Sequence, residues 1–184
     1  IAPQVSFTVA EWSKNSDEII QNIQHKFISK KVIVRSSAIA EDGFDSSNAG
    51  AYVSVLDIDA TVKKAVLDSI TSVIDSYVDR NPANQVLVQP MIENVCVSGV
   101  IFTRTLSESA PYYVINFDDS SQETDTITSG SSRDHKTLVI SRGKAVDLEN
   151  SVPQALRGLI PALQEIENLL DFKALDIEFA IGID

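Results

Sequence analysis

The sequence predicts an α/β fold built on a mixed sheet rather than a purely parallel one. Short apolar runs bounded by turn residues alternate with stretches whose apolar residues recur at helical spacing. The alternation is irregular, and several strand-like runs follow one another without an intervening helix, as hairpin neighbours do. With 184 residues, 43% hydrophobic and 22% charged, the chain can bury a sizeable core as one domain or as a pair of small lobes.

Ser16 is placed to cap a first helix whose apolar residues Ile19, Ile20, Ile23 and Phe27 share a face. Lys30 and Lys31 end it, as cations suit a helix C-terminus. Val32 to Val34 reads as a buried strand that delivers Arg35 at its end. Gly43 to Asn48 is small and polar, a loop. Ala51 to Leu56 alternates as a second strand, after which Asp59 caps a helix running to about Val78 on the face Val62, Val66, Ile70, Val73, Tyr77. Asn81-Pro82-Ala83-Asn84 breaks the chain, and Val86 to Gln89 is a strand running into Pro90-Met91-Ile92. Val95 to Thr103 reads as its hairpin-like return, with a further strand at Tyr112 to Phe117. Asp118 to Asp134 is a long polar excursion, of a length that usually carries function or disorder. Thr137 to Ile140 is a short strand followed by a turn at Arg142-Gly143-Lys144. Helical sequence from Ser151 is interrupted near Gly158 and Pro161, then continues with Leu163, Ile166, Leu169 and Leu170 as its apolar face. Leu175 to Ile181 closes the chain as a strand.

Composition excludes some functions. A formal charge of −11 disfavours non-specific attraction to nucleic acid or anionic membrane, and neither is expected as a partner. A single cysteine rules out an internal disulfide and a multi-cysteine metal site, which points to the cytoplasm. No apolar run is long enough to cross a bilayer as a helix, and no signal-peptide pattern opens the chain. The chain starts at Ile1 without methionine, as a piece of a longer protein would.

The chemistry-bearing candidates each carry a plainer alternative. Arg35 has a fork suited to phosphate oxygens, or it pairs with Glu41 or Asp42. Gly50 lets a ligand approach the backbone, or serves a turn; Ser54 is weak alone. Gln89, Pro90, Met91 and Ile92 offer backbone groups to a flat heterocycle, with a donor needed from Ile92 or nearby because Pro90 lacks an N–H; or they are a strand exit. On the last strand Asp176, Glu178 and Ala180 face one way, and Glu178 either meets a magnesium ion or touches water. His25 and His135 lack companions at ligand spacing, and Cys96 reads as a small core residue. Neither a Walker-type loop nor G-x-G-x-x-G is present.

Together, V-R-S-S-A-I-A-E-D at Val34 to Asp42, S-N-A-G at Ser47 to Gly50, V-L-V-Q-P-M-I at Val86 to Ile92, S-G-V-I-F-T at Ser98 to Thr103 and D-I-E-F-A at Asp176 to Ala180 resemble a known family. It is the N-terminal nucleotide-binding domain of phosphoenolpyruvate synthase and pyruvate phosphate dikinase, a relative of the ATP-grasp fold. The resemblance implies an ATP-grasp-like α+β fold with largely antiparallel sheets and flanking helices. It also implies a partial nucleotide-binding domain over 1–184 with a subdomain break near 82–92, and ATP and magnesium as ligands. By the same resemblance Arg35 contacts the phosphates, Gly50 and Ser54 belong to a flap over them, Gln89 to Ile92 read adenine, and Glu178 holds magnesium. Arg35 and Glu178 are then expected to converge on one crevice. In such enzymes ATP phosphorylates a histidine on a separate domain, and a third domain passes the group to an acceptor.

The chain departs from the family in its N-terminal glycine-lysine segment, of which nothing before Lys14 is a match, and in the glutamine and arginine beyond the D-I-E strand. Asp118 to Gly130 lies where the family has G-L-G-E, with Asp125 in the place of the glutamate. The phosphohistidine domain is missing, so turnover by this chain alone is not expected. Alternatives are a non-catalytic binding or assembly module on the same fold, and a carboxylate–amine ligase of the wider ATP-grasp group, against which R-S-S-A argues.

Overall fold

The computed structural model describes residues 3–28, 30–39, 52–119, 136–142 and 152–182, and it divides into two compact units, Ile1–Met91 and Ile92–Asp184.

In the first unit β1 (Val5–Thr8) leads into α1 (Val9–Lys26), followed by β2 (Lys31–Ser37), β3 (Val55–Asp59), α2 (Lys63–Asp75) and β4 (Gln85–Pro90). The strands form one sheet in the order β1-β4-β2-β3, each pair antiparallel. Period-two alternation sends Val5, Phe7, Val32, Val34, Val86 and Val88 to one face, where both helices cover them. Ile20 and Ile23 from α1, Phe27 at its C-cap, and Val66, Ile70 and Val73 from α2 are fully or almost fully buried there. Each such side chain contributes about 1.5–3 kcal/mol by leaving water.

Several local expectations change. Helix α1 starts well before Ser16, because Thr8 and Glu11 form a reciprocal cap: Glu11 N–H donates to Thr8 Oγ1 at 3.1 Å and Thr8 N–H donates to Glu11 Oε2 at 2.7 Å. A kink at Asn15 (φ −135°, ψ 34°) interrupts the helix just before Ser16, which is why Ser16 looked like a start. The helix ends at Lys26, and Lys31 already belongs to β2. Arg35 is not the last residue of its strand, since Ser36 and Ser37 still pair with β4. Strand β3 lies later than Ala51 to Leu56, because a bulge places Ile58 and Val55 opposite Val32 and Val34, with Asp57 left-handed at φ 61°. Asp59 does not cap α2. Its Oδ1 accepts from Thr61 N–H and Oγ1 at 2.9 and 2.6 Å in a turn that precedes the helix.

The second unit has β5 (Val95–Phe102), β6 (Tyr112–Asp118), β7 (Lys136–Ser141), a 3₁₀ turn (Gln154–Leu156), α3 (Leu159–Leu170) and β8 (Asp176–Gly182). Its sheet runs β7-β6-β5-β8, again antiparallel throughout. Strand β5 is therefore no hairpin partner of β4; it pairs with β6 and β8 in a different sheet. Gly99 lies between Phe117 and Phe179, where any Cβ would meet Phe179 Cε1 at 2.8 Å and Phe117 Cα at 2.9 Å, so the strand crossing requires glycine. The break near Gly158 and Pro161 is present, between the 3₁₀ turn and α3. The buried face of α3 is Ile160, Leu163 and Glu167, whereas Leu169 and Leu170 are exposed.

A charge cluster is buried here. Arg142 Nη2 donates to Glu167 Oε2 at 2.7 Å, Tyr113 O–H donates to the same oxygen at 3.0 Å, and the guanidinium lies 4.7 Å from the Tyr113 ring centre. Arg142 Nη1 also donates to Thr103 O at 2.6 Å, where β5 ends. The α+β architecture with largely antiparallel sheets and flanking helices is thus the fold that the sequence predicts.

Candidate functional site

On the first sheet, the face without helices carries Ile33, Arg35, Leu87 and Gln89. Arg35 sits directly opposite Leu87 and Gln89 opposite Ile33, so Arg35 and Gln89 are diagonal neighbours on adjacent strands. Such pairs are about 7–8 Å apart, within reach of long side chains. Both are half-buried, and Gln89 Nε2 donates to Gln4 Oε1 at 3.0 Å. The sheet therefore sets Arg35 beside Gln89, one residue before the end of β4.

The backbone at that exit follows from the ladder. Met91 N–H donates to Lys31 O at 2.9 Å, so the odd-numbered residues of β4 point their backbone groups at β2. Val9 N–H donates to Asn84 O at 2.9 Å, so the even-numbered ones point towards β1. Met91 N–H is committed to the sheet, whereas the alternation of the ladder turns the Pro90 backbone away from β2.

Ser54 is exposed and precedes β3 rather than lying in it. Gly50, Glu41, Asp42, Asp125 and His135 lie outside the described residues. His25 is exposed on α1. Cys96 is half-buried at a bulge of β5, packs on the second core, and its thiol donates to Ile181 O at 3.3 Å.

In the second unit Glu178 is on β8 opposite Val100, on the face away from α3, with Asp176 beside it. Ile177, Phe179 and Ile181 point into the core. Glu178 is exposed, so its charge bears no burial penalty and the desolvation argument for a counter-cation falls away. The cross-strand row continues through Val100 to Asn116 and Thr137, whose hydroxyl donates to Asn116 Oδ1 at 2.7 Å. Among the described residues no group of three or more histidine, cysteine or acidic side chains could hold a metal. Magnesium is commonly held by one or two carboxylates together with substrate phosphates and water.

The buried Arg142–Glu167–Tyr113 cluster was not anticipated. Its one signal in the sequence is Glu167 at helical spacing from Ile160 and Leu163.

Residues 6–121 match the family model of the pyruvate phosphate dikinase AMP/ATP-binding domain. The chain belongs to this family. The match within this dikinase domain family takes in β1 to β6, including Arg35, Ser54 and Gln89 to Ile92, and leaves Glu178 outside. Among solved structures, the D-alanyl-alanine synthetase A of Vibrio cholerae is similar at 16% identity and a TM-score of 0.42, over 98% of this chain. The chain spans 46% of that protein's length. No curated protein sequence matches it. No helix among the described residues is long and apolar enough to cross a membrane.

Proposed function

We propose that this dikinase-family domain is ATP-grasp-like and binds Mg-ATP for transfer of a phosphoryl group to a histidine on a separate domain of a longer, cytoplasmic protein, where a third domain holds the acceptor. The observation that carries the nucleotide assignment is the shared face of Arg35 and Gln89, inside the span matched by an AMP/ATP-binding family. Pro90 C=O and Ile92 N–H would read the adenine edge, with Gln89 and Met91 holding that segment in the sheet. Arg35 would grip the phosphates bidentately and offset charge on the transferring group, with Gly50 and Ser54 in the segment that covers them. Glu178 would hold magnesium, which would supply positive charge to offset that of the phosphates. The chain's own part is then positioning and electrostatics, since phosphoryl transfer asks little covalent chemistry of the protein.

Isothermal titration of the full chain with ATP and magnesium tests this. Wild type is expected to release heat, and Arg35→Met to weaken binding by about tenfold or more, as loss of a charge-assisted contact does. Arg35→Lys should recover only part of it, because a point charge does not replace a fork. A folded wild type that gives no heat would count decisively against the assignment. If ATP binds, detection of AMP rather than ADP as product separates a dikinase from a ligase, and binding without turnover in the complete protein indicates a non-catalytic relative.

A further inference from the structure

We infer that Tyr77 is a positioning residue for the phosphate-binding end of β2, a role that rests on the nucleotide-binding function proposed for Arg35. Tyr77 follows α2 and is buried at 3% exposure. Its hydroxyl accepts from Ser37 N–H at 3.2 Å and donates to Gln85 O. Ser37 and Gln85 are the last pair of the β2–β4 ladder, two residues beyond the Arg35–Leu87 pair. The hydroxyl thus bridges the two strands just past the Arg35–Leu87 pair and helps set how far apart they lie there.

The same α2–β4 connection holds the chain on both sides of residues 40–51. On the way out, Ile39 N–H donates to Asn84 Oδ1 at 3.0 Å; Asn84 is fully buried, and its Nδ2 donates to Asp79 Oδ1 at 2.7 Å. On the way back, Val53 N–H donates to Ser76 Oγ at 3.3 Å, and the Tyr52 ring meets the Tyr77 ring edge-on at 5.4 Å. Ser76, Tyr77 and Asn84 come from one short stretch of sequence, yet they hold backbone N–H groups at 37, 39 and 53. Core packing alone does not explain this, because an apolar side chain would fill the space without meeting those donors. The arrangement instead fixes the path of the backbone leaving Arg35.

The test compares Mg-ATP affinity with thermal stability in the full chain for Tyr77→Phe, Ser76→Ala and a core control, Ile70→Val. Tyr77→Phe keeps the ring on Tyr52 but leaves Ser37 N–H and Gln85 C=O without their bridge. It is expected to weaken Mg-ATP binding about five- to tenfold, as a misplaced contact does. Ser76→Ala should weaken it by a smaller factor, and Ile70→Val should lower the melting temperature with affinity unchanged. Should Tyr77→Phe not fold, Ser76→Ala against Ile70→Val decides in the same way. Wild-type affinity in the hydroxyl variants, or an equal loss in Ile70→Val at a matched melting temperature, overturns the inference while ATP binding itself stands. Absence of binding by the wild-type chain removes both.

Discussion

Arg142 and Glu167 meet as a forked ion pair inside the second unit, with Nη2 donating to Oε2 at 2.7 Å and Nη1 at 2.5 Å from Oε1. Only the first contact is aligned as a hydrogen bond; Oε1 is reached by charge but has no aligned donor. Their side chains are 13% and 5% exposed, so each depends on the other for its solvation. Arg142 follows β7, Glu167 lies on α3, and Thr103 follows β5, so the pair joins the elements around the start of β8.

Removing one partner should therefore be worse than removing both. Arg142→Met is expected to destabilise the fold by about 3–5 kcal/mol, because it leaves a buried carboxylate unpaired. Adding Glu167→Met should restore most of that loss. Urea unfolding of the single and double variants measures it, and an additive double variant would contradict the coupling.

Tyr113 should ionise late. Burial, first, and then its hydrogen bond to Glu167 hold its phenol above the usual value of 10.0. A group raised in the folded state contributes stability that is complete below its unfolded pKa and fades as pH climbs through the folded one. Ultraviolet titration of tyrosine should show a delayed component, and Glu167→Gln should bring it forward.

The acid limb of stability should involve the first unit. The cap contact with Thr8 lowers Glu11 below its ordinary 4.5, the Lys63 hydrogen bond lowers Asp17, and the Thr61 bonds lower Asp59 below 3.8. Groups depressed in the folded state contribute fully above their unfolded values and lose that contribution as pH falls through the folded ones. The melting temperature should consequently drop below about pH 4.5, and Glu11→Gln should flatten that slope; an unchanged slope would argue against the cap.

Gly99→Ala should damage the second unit severely. The new Cβ would strike Asn116 O, Phe179 and Phe117 together, two of these contacts being with backbone that cannot rotate away. A loss of about 3 kcal/mol or more is expected. Because β6 must shift to admit the methyl, amide signals of Asn116 and Phe117 should move furthest in a heteronuclear NMR spectrum.

Much of this was legible locally. Val66, Ile70, Val73 and Tyr77 recur at helical spacing and are buried, whereas Val62, read on the same face, is the exposed N-cap of α2. Val86 and Val88 mark β4 in the same way. Thr8 and Glu11 held a readable cap signature, yet the four-residue β1 before it is too short for periodicity to detect. Alternation through Val53 and Val55 misplaced β3, because a bulge adds one residue and breaks the period. Leu169 and Leu170 looked like core, but α3 ends against solvent and the inward position goes to Glu167.

By itself the sequence determined the types of the main elements, the buried faces of β2, β4 and α2, and the family, because these depend on spacing along the chain. Only the tertiary structure decided that Arg35 lies diagonal to Gln89, that β5 leaves the sheet of β4, and that a glutamate can be core. Those outcomes rest on pairing and burial between residues far apart in sequence, such as Arg142 with Glu167 and Tyr77 with Ser37. No local pattern records which distant donor will meet which acceptor.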